Sequence, residues 1–299
     1  MWGAAENQLG DLAMKLLAAC KSGALPTVRS IAPKLYGGIK PLASDPSTQL
    51  PPIQAMLATA AKNGRVDIMR YLMTTMPACI NAERRWNPPV PYPIDQLPEQ
   101  WRHAWWDIVV LGALQSSHIP VVQLLLNEGL GVNYVMEKLG PPLIVAIYKK
   151  DAAMARFLLE RGAEPNGVSW VMEESFLALA TKHPSCDILT ALLDHGANIP
   201  GSRALFAAAR AGNLAAAEVL LVRGADVNEV ANLDFYDDRR DNLGTALHAA
   251  AEHGKSDMVA FLLKHGARTD LKNGDSMIAR DIAEKHGKTD VVKMLDKAE

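Results

Sequence analysis

The stretch Trp101-Arg102-His103-Ala104-Trp105-Trp106-Asp107 holds the densest gathering of side chains in the chain that could act on another molecule. Residues four apart are neighbours on a helix, so His103 and Asp107 would share one face and Trp101 and Trp105 another. A histidine oriented by a carboxylate is the arrangement of a general base. Clustered tryptophans suit a recognition face, because tryptophan, tyrosine and arginine dominate binding energy at interfaces. No nucleophile and no metal-ligand spacing accompanies His103 and Asp107, so the pair alone does not define a catalytic centre. Three readings stand. The tryptophans bury this segment against neighbouring structure while His103 and Asp107 form an ordinary polar pair; or they present an aromatic contact face; or the segment closes a small-molecule or catalytic pocket with His103 as base and Asp107 as its orienting acid.

This stretch ends a longer insertion that runs from about Cys79 to Asp107 and collects four of the six tryptophans. Pro88, Pro89, Pro91 and Pro93 forbid regular helix or central strand, and favour an extended, pre-ordered segment carrying Trp86 and Tyr92. Pro98 followed by Glu99 suits the first turn of a helix, where the missing N–H costs nothing and an acid meets the positive end of the dipole. A second insertion follows Asn228 and carries Phe235, Tyr236, Asp237, Asp238, Arg239 and Arg240. It reads either as a solvated loop whose ion pairs contribute little, or as a polar contact finger. Tyr134 and Trp170 fall in corresponding turns. If these turns point one way, Trp101, Trp105, Tyr134, Trp170 and Tyr236 line one concave side; Trp106 is a further candidate contact.

The elements that must carry these turns repeat. Gly23, Gly64, Ser117, Lys150, Pro184, Gly212, Gly254 and Gly287 occupy equivalent positions, separated by 41, 53, 33, 34, 28, 42 and 33 residues. A helix pair with its turn needs about 33 residues, so the long steps mark insertions. Twelve residues after five of these anchors stands a second glycine, Gly129, Gly162, Gly196, Gly224 or Gly266, expected to end a helix in the left-handed conformation. Each copy has a small-residue helix such as Ala207-Ala208-Ala209, a turn, and an apolar helix such as Leu124-Leu125-Leu126. Val121 with Leu124 and Leu125, Val259 with Leu262 and Leu263, and Ile188 with Leu192 keep the spacing of one buried stripe. A unit of two short helices cannot bury its own apolar face and must stack on its neighbours. The expected surface is elongated, which favours binding partners.

Thr245-Ala246-Leu247-His248-Ala249-Ala250, Gly254, Leu262-Leu263 and Gly266-Ala267, together with the closing Gly224-Ala225-Asp226-Val227-Asn228, resemble the ankyrin repeat. The resemblance runs from about Leu12 to Leu295, strongest from Pro141 onward. It implies an all-α solenoid of about eight helix-turn-helix repeats with long inter-repeat insertions. The copies fall near 10–36, 51–80, 103–133, 139–166, 172–199, 201–228, 242–270 and 275–297 in one array, with a Trp/Pro-rich insertion at 81–102 and a charged one at 229–242. Only His248 keeps the family's hallmark histidine, which ties neighbouring repeats. Leu17, Ala58, Leu111, Ile144, Ala178, Phe206 and Asp281 replace it elsewhere, which bears on stiffness rather than on fold. In the last copy, Lys285, Lys288, Lys293 and Lys297 give the polar outer face that a solenoid end requires.

Composition narrows the function classes. A formal net charge of −2, from 31 basic and 33 acidic residues, lacks the basic stripe of a nucleic-acid binder. No run of about 18 apolar residues suggests a membrane span. Cys20, Cys79 and Cys186 are isolated, so neither a disulfide framework nor a zinc spacing is expected, and no metal site is read. No phosphate-binding glycine loop, Gly-X-Ser-X-Gly elbow or His-Glu-X-X-His occurs, and no cofactor is expected. The remaining histidines, His118, His183, His195, His253, His265 and His286, sit near turns and read as structural. With no signal pattern or Asn-X-Ser/Thr acceptor, the expected setting is intracellular and cytoplasmic. The sequence reading is a module that binds a protein or peptide through its fingers and concave face; the alternative is an ankyrin scaffold with a small-molecule or catalytic pocket under the Trp-rich insertion.

Overall fold

Alanine-rich and leucine-rich helices alternate along the chain, and the computed structural model arranges them as eight helix pairs among the residues it describes, which are 2–36, 53–75, 104–136, 139–169, 174–232 and 242–298. The pairs are α1 (Trp2–Ser22) with α2 (Leu25–Tyr36), α3 (Ile53–Lys62) with α4 (Val66–Thr75), and α5 (Ala104–Gln115) with α6 (Ile119–Asn127). Then follow α7 (Pro142–Lys149) with α8 (Ala152–Leu159), α9 (Phe176–Ala180) with α10 (Asp187–Asp194), and α11 (Ala204–Ala211) with α12 (Leu214–Val222). The last two are α13 (Ala246–Glu252) with α14 (Ser256–Lys264), and α15 (Ala279–Lys285) with α16 (Thr289–Leu295). Two short antiparallel hairpins are added, β1 (Val168–Ser169) with β2 (Glu174–Ser175), and β3 (Ala231–Asn232) with β4 (Asn242–Gly244). No described helix is long and apolar enough to cross a membrane.

The chain divides into two compact units, Met1–Val145 and Ala146–Glu299. In the first, α1, α3 and α5 pack side by side as one layer, with α2, α4 and α6 as the other. At Gly112 of α5 an added Cβ would stand 3.4 Å from the Ala58 carbonyl oxygen, so a bare backbone lets α5 lie close on α3. In the second unit α9, α11, α13 and α15 form one layer, and α12, α14 and α16 lie along the other. Ala207, Ala208 and Ala209 on α11 and Ala249, Ala250 and Ala251 on α13 are all buried, and their small volume permits the close approach.

The turn inside each pair explains the anchor positions. Seven of the eight anchors are left-handed, with φ between 58° and 91°, and these include Ser117 and Lys150, which have side chains. After each of the seven, the next amide donates to the carbonyl five residues back, always a buried alanine: Ala19, Ala60, Ala113, Ala146, Ala208, Ala250 or Ala283, at 2.7–3.0 Å. This closure satisfies carbonyls that the helix end would otherwise leave orphaned. Pro184 is the exception, because its ring fixes a negative φ. The anchor also makes room. A Cβ on Gly64 would meet the His118 ring at 2.8 Å, one on Gly212 the Lys255 stem at 3.0 Å, and one on Gly254 the Lys288 stem at 2.9 Å. The residue that follows one anchor thus lies over the anchor of the preceding copy.

The second helices end as the spacing predicts. Gly129, Gly162, Gly196, Gly224 and Gly266 have φ of 84–97°, and the following amide donates to a buried leucine carbonyl, Leu125, Leu158, Leu192, Leu220 or Leu262, at 2.9–3.1 Å. Copies are then tied by asparagine. Asn166 accepts from the Asn198 amide at 2.8 Å and donates to the Gly196 carbonyl, while Asn228 does the same with Arg268 and Gly266. Asn213 donates to the carbonyls of Thr181 and His183, both at 2.8 Å, while its own oxygen caps α12 at Ala216.

His248 supplies the tie that the family resemblance implies for it. Its Nδ1 accepts from the Thr245 amide at 3.1 Å, which leaves Nε2–H to donate to the Met277 carbonyl of the next copy at 3.2 Å. Asp281, standing in the same place of the last copy, accepts from the Ile278 amide at 3.2 Å. The local capping role survives there without the histidine.

Candidate interaction surface

The inter-repeat turns form fingers whose roots are well fixed. In the first unit Met136 and Gly140 bridge across one finger. The Tyr134 hydroxyl at its base donates to Oδ1 of Asp107 on α5 at 2.7 Å, and Asp107 is buried. Burial first, and the Asp107 hydrogen bond second, push the Tyr134 hydroxyl above its ordinary pKa. The latch holds Tyr134 against the helix while Val135 and Leu139 stay exposed on the finger.

In the second unit β1 and β2 pair Val168 with Ser175 and Ser169 with Glu174. The finger's root is tight: a Cβ on Gly167 would lie 2.2 Å from the buried Phe176 ring, and the Phe176 amide donates to the Gly167 carbonyl at 2.9 Å. Ser175 does two jobs, since its hydroxyl accepts from the Ala178 amide to cap α9 and donates to the Ser202 carbonyl at 2.6 Å. Ser169 is buried and hydrogen-bonded to the Tyr148 hydroxyl of α7. Glu174 accepts from Arg210 at 2.6 Å and lies 2.5 Å from the Lys182 ammonium. The next finger pairs Ala231 with Gly244 and Asn232 with Asn242, and Glu229 before it accepts from the Gly201 amide at 2.6 Å.

Alanines fill much of the contact between first helices, and the side chains two residues before the anchors are among those left to face outward. In the second unit these are Tyr148, Lys182, Arg210, Glu252 and Lys285, half-buried or exposed. Lys182 and Arg210 reach the same finger carboxylate, and Glu252 lies 3.9 Å from His286, so equivalent residues of successive copies stand beside fingers and next turns. The sequence reading passed over them, though their constant offset from the anchor was visible.

Of the residues singled out from sequence, Tyr134 and Asp107 are brought together, with Oδ1 of Asp107 bound to the tyrosine. Trp105 and Trp106 lie on the first turn of α5, and their side chains are outside what the structure describes. Trp86, Tyr92, Trp101, His103, Trp170, Phe235, Tyr236, Asp237, Asp238, Arg239 and Arg240 lie outside the described residues. His195, His253 and His265 each place Nδ1 on the carbonyl four residues back in their own helix, at 2.9, 3.2 and 2.8 Å, a helix-end role. His183 and His248 are buried, and burial is the largest cause holding both below the ordinary histidine pKa; Lys150 adds to it at His183.

Comparison with known proteins agrees with this geometry. Residues 229–298 match a model of three ankyrin repeats, and residues 200–232 match the single ankyrin repeat. An ankyrin repeat and KH domain-containing protein of Caenorhabditis briggsae is 31% identical over 166 residues, which is 54% of this chain and 6% of that much longer relative. The crystal structure of the ankyrin repeat domain of Bcl-3, described as a unique member of the IkappaB protein family, is similar with a TM-score of 0.52 and 26% identity. That likeness covers 63% of this chain and 82% of the Bcl-3 chain. Residues 200–298 of the chain carry ankyrin repeats, and repeats of this class generally mediate protein–protein interaction.

Proposed function

We propose that this chain is a binding module that holds a protein or peptide on its inter-repeat fingers and on the adjoining last turns of its first helices. The observation that carries this reading is the row Tyr148, Lys182, Arg210, Glu252 and Lys285, one side chain per copy at a constant offset, beside fingers whose roots are pinned by Ser175 and Glu229. A pinned root limits the ordering entropy lost on binding, and a row of polar and aromatic groups gives direction to the contact. The inserted segments add further proposed contacts: Trp86, Tyr92, Trp101, Trp105 and Trp106 in one, Trp170 in the next, and Phe235, Tyr236 and Asp237 to Arg240 in the last.

The test is retention of a protein from native extract. The intact chain is compared with a Tyr148→Ala, Lys182→Ala, Arg210→Ala variant, a version lacking residues 86–101, and a Leu214→Ala, Val222→Ala control on an outer helix. Loss in the first or second with retention in the control supports the reading; equal retention by all four overturns it.

A further inference from the structure

Glu174 closes β2 and reaches the last turns of two neighbouring copies. Its Oε1 accepts from Arg210 Nη2 at 2.6 Å, and its Oε2 lies 2.5 Å from Lys182 Nζ. Lys182 and Arg210 stand two residues before the anchors Pro184 and Gly212, so one finger carboxylate is held by equivalent cations of adjacent copies. The burial is unequal. The Glu174 side chain is 13% exposed, while those of Lys182 and Arg210 are 36% and 38% exposed. An ammonium carries three donors and a guanidinium five, and the ion pairs engage one nitrogen of each. Both cations therefore keep a solvent-facing side.

The surroundings add positive charge. Lys149 ends the first helix of the preceding copy and Lys150 is the anchor after it, close enough to His183 to depress its protonation. Asp151, the nearby acid in sequence, spends Oδ1 on the amide of Met154 as a helix cap. Lys150, Lys182 and Arg210 are thus cations of successive described turns, beside Glu174 and Asp151.

From this geometry we infer that Lys182 and Arg210 form a carboxylate receptor which Glu174 fills in the free protein, and that an acidic peptide segment of the binding partner displaces it. The inference rests on the protein-binding reading and names the chemistry of the partner. The guanidinium fork and the ammonium both suit a carboxylate. The cations are more than a third exposed, and exchange of one carboxylate for another keeps their charge partnered, so the exchange costs little. A peptide with several spaced acids then gains from the remaining donors.

The sign of one substitution separates a place-holding Glu174 from a purely structural one. Fluorescein-labelled octaglutamate, titrated by anisotropy against the full chain, binds the unmodified protein, and Glu174→Gln binds it about five-fold tighter, the size expected when the two competing ion pairs of Glu174 are removed. Lys182→Ala and Arg210→Ala each weaken binding by about the same factor, whereas Lys264→Ala, on an outer helix, leaves it unchanged. Octalysine does not bind. The inference is overturned by equal or weaker binding to a Glu174→Gln protein whose helical signal and melting are intact, by octalysine binding as well as octaglutamate, or by octaglutamate binding that survives both cation substitutions. The two cation variants test it even if Glu174→Gln does not fold. A partner that covers the first helices with no acidic segment overturns this inference alone and leaves the protein-binding reading standing.

Discussion

Replacing His248 by alanine should uncouple the last repeat. The imidazole is buried and joins two copies: Nδ1 accepts from the Thr245 amide at 3.1 Å, and Nε2 donates to the Met277 carbonyl at 3.2 Å. The substitution leaves two backbone groups without their partner, and an unsatisfied buried group costs about 1–3 kcal/mol. Thr245 is fully enclosed, whereas Met277 is half-buried and its carbonyl can take a water, so the expected loss is about 3 kcal/mol. In a repeat array such a loss falls on the interface it touches. Hydrogen exchange read by mass spectrometry should show amides of Ala279–Lys285 and Thr289–Leu295 exchanging about a hundredfold faster, since about 1.4 kcal/mol is tenfold. The peptides of Phe176–Ala180 and Ala204–Ala211 should keep their protection. His253→Ala is the control, because that ring is exposed and bonds to its own helix at Ala249; its cost should stay within about 0.5 kcal/mol. Unchanged exchange in the last copy, or an equal loss across all copies, would refute the reasoning.

Three other outcomes follow from the same geometry. Lys150 is left-handed at φ 59°, so Lys150→Gly should stabilise the chain by about 0.5–1 kcal/mol, read as a raised denaturation midpoint; a lowered midpoint would contradict it. Gly167→Ala drives a Cβ to 2.2 Å from the Phe176 ring and should cost about 2–3 kcal/mol. Gly266→Ala, with nothing within 4 Å, should cost only about 1 kcal/mol of backbone strain, and equal melting of these two variants would argue against the tight finger root. Acidification should destabilise the chain. His183 and His248 are held below the ordinary histidine range, so the unfolded chain takes up protons that the folded one refuses. Their stability contribution is complete above about pH 6.5 and is lost below it, at up to about 1.4 kcal/mol per pH unit each, until the folded-state pKa is passed. Denaturant midpoints compared between about pH 7.5 and about pH 5.5 check this, and a flat profile would contradict it.

The turn scaffold was legible because its chemistry is local. A left-handed residue followed by an amide that closes on an alanine five back leaves a fixed spacing of glycine and alanine, clear enough that Ser117 and Lys150 could be placed at anchors without being glycine. Pro184 was placed by spacing as well, but proline cannot take that conformation, and the chain re-enters helix at Asp187 instead. The ties between copies were less legible. Asn213, Asn166, Asn228 and Ser175 work through partners 27 to 40 residues away, and a single polar side chain after a turn does not announce which carbonyl it will meet. Sequence reasoning sought the site in the aromatic insertions, where composition is unusual. The cluster of Glu174, Lys182 and Arg210 is built from ordinary charged residues that only stacking brings together. Tyr134 and Asp107 were each singled out, yet for different purposes, and their hydrogen bond depends on the finger folding back onto α5.

The most direct test of the binding surface is hydrogen exchange of the full chain, free and bound to a protein partner recovered from native extract. Protection gained at Glu174–Ser175, at the last turns containing Lys182 and Arg210, and at the Ala231–Gly244 finger, with Leu214–Val222 unchanged, is the predicted result. Protection confined to Leu214–Val222 and the other second helices, with the fingers untouched, would contradict the account.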